Sequence, residues 1–251
     1  MATIVFLSSH TDDEVTLSGG AMAMAVVLGH RVVRICATDG AEAGEQGLDD
    51  GVAESRREEA RQAGDLLGIQ RLEFWEFTES GRLGWSSNDA PGALMKADPD
   101  ELVARVVALL DEEDALALVT YDHHGLYGHP DRSLLHRVAH AAAKKAARTP
   151  RVLEATLNRD AMRQEGGAMN PDDPQDDGHP FGTPEAELAW QVDLGPAAMV
   201  KREALAAHAS ITEAAPLLAA PDEVYLRAYR YEYYREAGRE PMKQGWPFTA
   251  E

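Results

Sequence analysis

Short apolar runs and longer segments of helical spacing alternate along the first 145 residues. "TIVFLSS" (Thr3–Ser9), "RVVRICAT" (Arg31–Thr38), "RLEFWEF" (Arg71–Phe77) and "ALALVTYD" (Ala115–Asp122) are short, apolar and rich in β-branched or aromatic residues, and read as buried strands. Between and after them, "EVTLSGGAMAMAVVLGH" (Glu14–His30), "GVAESRREEARQAGDLLG" (Gly51–Gly68), "PDELVARVVALLDEED" (Pro99–Asp114) and "DRSLLHRVAHAAAKKAAR" (Asp131–Arg148) read as helices. This alternation predicts one α/β domain over residues 1–251, Rossmann-like, with a mostly parallel sheet and helices on both faces. From about Leu153 the pattern turns irregular. "NRDAMRQEGGAMNPDDPQDDGHPFGTPEAE" (Asn158–Glu187) is rich in Gly, Pro and Asp and reads as a long loop or lid. The tail "YLRAYRYEYYREAG" (Tyr225–Gly238) reads as a final helix or strand packed on the body. No internal repeat or clear second domain is visible.

A parallel sheet binds its ligands at the carboxyl ends of its strands. The polar constellations of this chain follow those ends: "HTDDE" (His10–Glu14), "DGAEAGEQG" (Asp39–Gly47), "TESGRLGW" (Thr78–Trp85) and "DHHGLYGHPD" (Asp122–Asp131). The chemistry is therefore expected on one edge.

Composition narrows the partners. Of 251 residues 43 are acidic and 24 basic, a net charge of −19. A nucleic-acid or anionic-membrane partner needs a basic face, so neither is expected, and a small-molecule substrate remains. Hydrophobic residues at 44% and charged residues at 27% suit an ordinary globular protein. The single cysteine, Cys36, excludes a disulfide framework and reads as a buried strand residue. The first strand starts with no charged leader or apolar signal region before it, and no apolar run reaches membrane-spanning length; a cytoplasmic location is expected.

In "HTDDE" a histidine and an aspartate three residues apart, at a strand-to-helix turn, can point into one pocket as metal ligands, His10 and Asp13, while Asp12 deprotonates a water. The plainer reading is a helix start, capped by Thr11 or Asp12 and with Glu14 at the positive end of the dipole. The stretch "TYDHHGLYGHPDRSLLHRVAH" (Thr120–His140) holds five of the nine histidines. His129, followed by Pro130 and Asp131, sits at a second loop-to-helix junction. A His–carboxylate pair there would keep the imidazole protonated for an oxyanion or a leaving group, with Tyr127 adding a hydroxyl. His136 and His140, four residues apart, read as packing residues.

"SSHTDDE" resembles the Ala-His-Pro-Asp-Asp-Glu motif of the PIG-L or LmbE-like zinc-dependent N-deacetylases, with Thr11 in place of proline, and "GLYGHPD" resembles their second motif, Gly-His-Pro-Asp-His. "RREEARQAGDLLGI" and "TESG" are similar to the helix and the Asp-Ser-Gly turn of the branch acting on mycothiol and its conjugates. The resemblance covers roughly the first 145 residues. It implies His10 and Asp13 as zinc ligands, Asp12 as general base, and His129, oriented by Asp131 and assisted by Tyr127, as oxyanion stabiliser and general acid. It also implies a third zinc ligand, the histidine after His-Pro-Asp, where this chain has Arg132. Guanidinium has no lone pair for a metal. Three arrangements are open: His136 reaches the metal, although one helical turn of about 6 Å separates it from Arg132; zinc is held weakly by His10, Asp13 and water; or Arg132 takes the cation's place beside Asp12 and Asp13 and no metal binds. Arg57 and Glu45 are candidate substrate contacts, together with Arg132; Arg57 reads equally as a partner of Glu54 or Glu58.

Two functions follow. One is a hydrolase cleaving an N-acyl group or amide on an amino sugar or related conjugate, with zinc, in natural-product or thiol metabolism. The other is a relative that has lost zinc hydrolysis and binds, or acts without metal on, a related small molecule. A dinucleotide-binding protein ranks third, for want of G-x-G-x-x-G after the first strand.

Overall fold

The computed structural model describes residues 1–42, 50–165, 170–211, 214–239 and 243–248. In chain order the first half runs β1 (Thr3–Ser8), α1 (Asp13–Leu17), α2 (Gly19–Val27), β2 (Arg31–Glu42), α3 (Asp50–Leu67), β3 (Arg71–Glu79), α4 (Pro99–Glu112), β4 (Ala115–Tyr121), α5 (Gly125–Gly128), α6 (Pro130–Lys145) and β5 (Arg151–Thr156). The second half adds α7 (Arg159–Glu165), β6 (Trp190–Asp193), α8 (Ala197–Ala207), α9 (Ala215–Ala219), α10 (Asp222–Tyr229), β7 (Tyr231–Arg235) and β8 (Lys243–Gln244).

One sheet collects all eight of these strands in the order β3-β2-β1-β4-β5-β7-β6-β8. β3, β2, β1, β4 and β5 are mutually parallel, and β7 then pairs antiparallel with β5. The expected α/β architecture with a mostly parallel sheet is present. Ile4, Val5, Phe6 and Leu7 of β1 are all buried, as a strand covered on both faces requires. α2, α3 and α8 pack against one another, and α4 packs against α6. Among the described residues no helix is long and apolar enough to cross a membrane.

The chain steps from β1 to β2 and β3 on one side and then returns to place β4 on the other side of β1. Neighbouring crossovers thus leave the sheet in opposite directions between β1 and β4, opening a crevice at their carboxyl ends. The loop after β1 carries His10–Asp13 and the loop after β4 carries Asp122–Asp131, so topology alone brings the two motifs together.

Three sequence expectations change. The helix expected over Glu14–His30 is two, broken at Ser18. The break lets Glu232 of β7 accept the backbone N–H groups of Gly20 and Ala21 at 2.9 Å, satisfying donors at the start of α2. Gly20 lies so close to Leu194 that a Cβ would come within 2.3 Å of it. A fifth parallel strand, β5, runs from Arg151 to Thr156, across the point near Leu153 where the sequence pattern turns irregular. The tail supplies both a helix, α10, and a strand, β7.

The irregular segment is sewn to the second motif. Gly182 N–H bonds the Leu126 carbonyl at 2.8 Å, and Asp176 N–H the Tyr127 carbonyl at 3.2 Å. Beneath the first motif, the fully buried Arg34 of β2 meets the buried Glu14 at 2.5 Å and donates to the carbonyls of His10 at 3.1 Å and Thr11 at 3.0 Å. His208 holds the other oxygen of Glu14 at 2.7 Å. Removing one partner of such a pair leaves a buried charge uncompensated. Glu14→Ala should therefore cost about 3–5 kcal/mol in urea unfolding, whereas a loss within ordinary surface-substitution size would show that Arg34 is satisfied by carbonyls alone.

Candidate active site

A cavity of about 350 Å³ opens at the crevice, lined by His10, Asp12, Arg56, Glu79, Arg82, Tyr127, His129 and Arg132 among others. The rings of His10 and His129 stand 4.5 Å apart, edge to face.

Asp13 points inward from the first turn of α1. Its Oδ2 accepts from the His10 N–H at 2.8 Å, from Ser9 Oγ at 3.1 Å and from the Tyr121 hydroxyl, and its Oδ1 accepts from Arg132 Nη2 at 2.7 Å. Burial works against its charge, but Arg132 and then His10 hold the carboxyl well below the usual range. Arg132 is held in turn, its guanidinium 5.1 Å from the Tyr127 ring centre and 5.7 Å from that of Tyr121. Burial alone would lower the pKa of His10, yet Glu79 and Asp13 raise it well above the ordinary value, helped by hydrogen bonds to Asp13 and Asp131. Its two nitrogens face Asp13 Oδ2 and Asp131 Oδ2, each at 3.4 Å.

His129 differs from the sequence expectation. It caps α6, its Nδ1 accepting the Asp131 backbone N–H at 3.3 Å. The Asp131 carboxylate turns away to the Ser80 N–H at 2.9 Å, the Ser80 hydroxyl and His10. Burial, reinforced by the charges of His10 and Arg132, pushes the His129 pKa far down. The ring is thus neutral, and an accepting Nδ1 leaves its proton on Nε2. Asp131 thus does not hold the His129 ring in the expected way: its carboxylate is engaged by Ser80 and lies beside His10.

Asp12 stands at the N-cap position of α1 but its side chain makes no capping bond. It lines the cavity, as does Tyr127. Arg132 bonds Asp13 and makes no hydrogen bond to Asp12 among those described. Arg57 is absent from the cavity lining and pairs with Glu54 at 2.7 Å; its neighbour Arg56, a turn-step of about 100° around α3, lines the cavity and donates to the Gly40 carbonyl at 2.9 Å. Glu45 lies outside the described residues. His136 does not reach the site: its Nδ1 donates to the Tyr121 carbonyl at 3.0 Å.

Sequence reasoning missed Glu79, Ser80, Tyr121, Arg56 and Arg82. Glu79 closes β3 in the cavity wall; burial raises its pKa to about 7 against the opposing pull of His10. The "TESG" turn was a signal for Glu79 and Ser80, whereas nothing local marked Tyr121 at the end of an apolar strand.

The model of the PIG-L family, described as GlcNAc-PI de-N-acetylase, matches residues 5–147. A 1D-myo-inositol 2-acetamido-2-deoxy-alpha-D-glucopyranoside deacetylase of Geodermatophilus obscurus is 31% identical over 97% of this chain and 95% of its own. The chain belongs to the PIG-L family. Two solved structures share the fold. A deacetylase of the teicoplanin biosynthesis pathway is 18% identical with a TM-score of 0.62, covering 93% of this chain and 97% of its own. The 4-carboxy-2-hydroxymuconate hydratase GalB of Pseudomonas putida is 16% identical with a TM-score of 0.59, covering 97% and 99%.

Against the zinc site expected of a PIG-L protein, the donor set is short. His10, His129 and Asp131 each bring one possible ligand atom within 4.8 Å of the others, so residues of metal-binding type do converge. The motif's own set is His10, Asp13 and the residue after His-Pro-Asp. Here that residue is a guanidinium bonded to Asp13 Oδ1, while Oδ2 already takes three donors. Asp131 is likewise taken by Ser80. The residues present do not fit zinc where the motif would hold it.

The turn presenting Tyr127 and His129 depends on left-handed backbone. Leu126 has φ +71° and Gly128 φ +87°, and a Cβ on Gly128 would stand 2.6 Å from the Asp177 backbone nitrogen. Gly128→Ala should cost about 1–3 kcal/mol in urea unfolding. Gly84→Ala, at the same φ of +87° but with open space around it, should cost only about 1 kcal/mol; equal losses would show that Asp177 yields freely.

Proposed function

We propose that this chain hydrolyses the N-acyl group of an amino sugar or a related small-molecule conjugate, with the Arg132 guanidinium supplying the fixed positive charge at the position of the missing ligand. The reading is carried by Asp12, a carboxylate at a helix start that caps nothing and faces a cavity shared with His129. Family membership and the name of the Geodermatophilus relative support the reaction and the amino-sugar class.

In this reading Asp12 takes a proton from the attacking water. The His129 Nε2–H and the charge of Arg132 face the carbonyl oxygen as it becomes an oxyanion, in a walled site where preformed donors act most strongly. Glu79, with its pKa near neutrality, is suited to pass a proton to the departing amine. Arg56, Arg82 and Trp85 also line the cavity and are suited to hold hydroxyl-rich groups. The rival reading, a small-molecule binder that has lost hydrolysis, draws on the Arg132–Asp13 pair.

Release of primary amine from N-acetylglucosaminyl-inositol and simpler N-acetylated amino sugars separates the two. Asp12→Asn should keep the fold by circular dichroism and lower the rate ~10²–10⁴-fold. No amine released from any of these substrates would favour the binder, and near wild-type turnover in Asp12→Asn would remove Asp12 from the chemistry.

Arg132→His should convert the pocket to two histidines and one aspartate, the ligand number of a catalytic zinc site. Calorimetric titration should then find one more equivalent of zinc than in the unmodified chain. Equal stoichiometry in the two proteins would show that Arg132 does not decide metal binding.

A further inference from the structure

A second cluster of metal-binding side chains lies away from the cavity, where α6 crosses β5. His136 and His140 stand one turn apart on α6 with ring centres 4.5 Å apart, and both face Glu154 of β5. His140 Nε2 is 2.9 Å and His136 Nδ1 3.9 Å from the same carboxylate oxygen, Oε1. Each of the three brings a ligand atom within 4.8 Å of the others. Across a tetrahedral zinc with bonds of ~2.0 Å, neighbouring ligand atoms stand about 3.3 Å apart, so side-chain rotations of ordinary size close the set.

We propose that His136, His140 and Glu154 form a divalent transition-metal site, of the kind that takes zinc, with water as the fourth ligand. Two imidazoles are more than one carboxylate oxygen needs as hydrogen-bond partners, but they are the number a His₂Glu site uses. The Nδ1–H of His136 donates to the Tyr121 carbonyl at 3.0 Å. Nδ1 is also the His136 nitrogen that faces Glu154, so binding the ion exchanges this bond for a metal bond and moves the ring proton to Nε2. Glu154 Oε2 faces Arg235 at 3.2 Å, which holds the carboxylate while Oε1 is left to the histidines. His140 is 28% exposed, so an ion and its water can enter from solvent. Binding displaces the proton shared between His140 and Glu154, and Arg235 opposes the ion's charge. The site is therefore expected to exchange its metal and not to be required for folding.

Cobalt(II) is the probe. Chelator-stripped protein should bind one equivalent of cobalt with the strengthened visible absorption of a four- or five-coordinate ion, and its thermal midpoint should rise with added cobalt. His140→Ala and Glu154→Gln should each lose that equivalent and the absorption, while His10→Ala keeps both. His140→Gln, which preserves a polar side chain, serves if the alanine variant does not fold. Loss of the equivalent in His10→Ala, with retention in His140→Ala, would assign the metal to the cavity and overturn the proposal. Absence of any cobalt equivalent would overturn it as well. Neither result bears on hydrolysis, which is read by amine release.

Discussion

Arg34 and Glu14 meet where neither touches water, and the loop that carries the site is strung between them. The guanidinium also takes the carbonyls of His10 and Thr11, so the turn after β1 is held from below by its backbone and from its helix by a carboxylate. His208 reaches in from beyond α8 to complete the same network. With that turn fixed, Asp13 collects its donors, Arg132 is drawn across from α6, and His10 is left between two carboxylates. The desolvation of several charges is tolerable because almost every charge has a hydrogen-bonded partner.

The site's charge pattern follows from this arrangement. Burial, reinforced by the charges of His10 and Arg132, disfavours a proton on His129, so that ring is placed as a neutral donor. The position after His-Pro-Asp, which the family resemblance gives to a metal-ligating histidine, is here a guanidinium that grips Asp13. Arg132 thus favours an ionised Asp13 and adds to the pressure for a neutral His129, besides offering no lone pair to a metal.

The parts of the fold written in local pattern were legible. β1 to β4 and their helices announced themselves by period and length, and topology then brought "HTDDE" and "GHPD" to one crevice. What escaped were residues whose role depends on partners far along the chain. Arg34 looks like a polar interruption of a strand until Glu14 is seen beneath it. Tyr121 ends an apolar run, and only its hydroxyl on Asp13 makes it part of the site. Arg56 and Arg57 are neighbours on one helix, and their sequence gives no sign of which one faces the sheet edge. β5 was hidden because "RVLEAT" mixes charge with apolar residues, yet Glu154 sits there for the sake of His140.

The chain carries a net charge of −19, but Arg56, Arg82 and Arg132 all line the cavity. Within and around the cavity these cations meet carboxylates: Arg132 grips Asp13, Arg82 pairs with Asp176, and Asp12 and Glu79 share the lining. The acid excess of the chain therefore lies largely outside this pocket. A step in electrostatic potential follows at its opening, and a cation crosses that step more readily outward than inward.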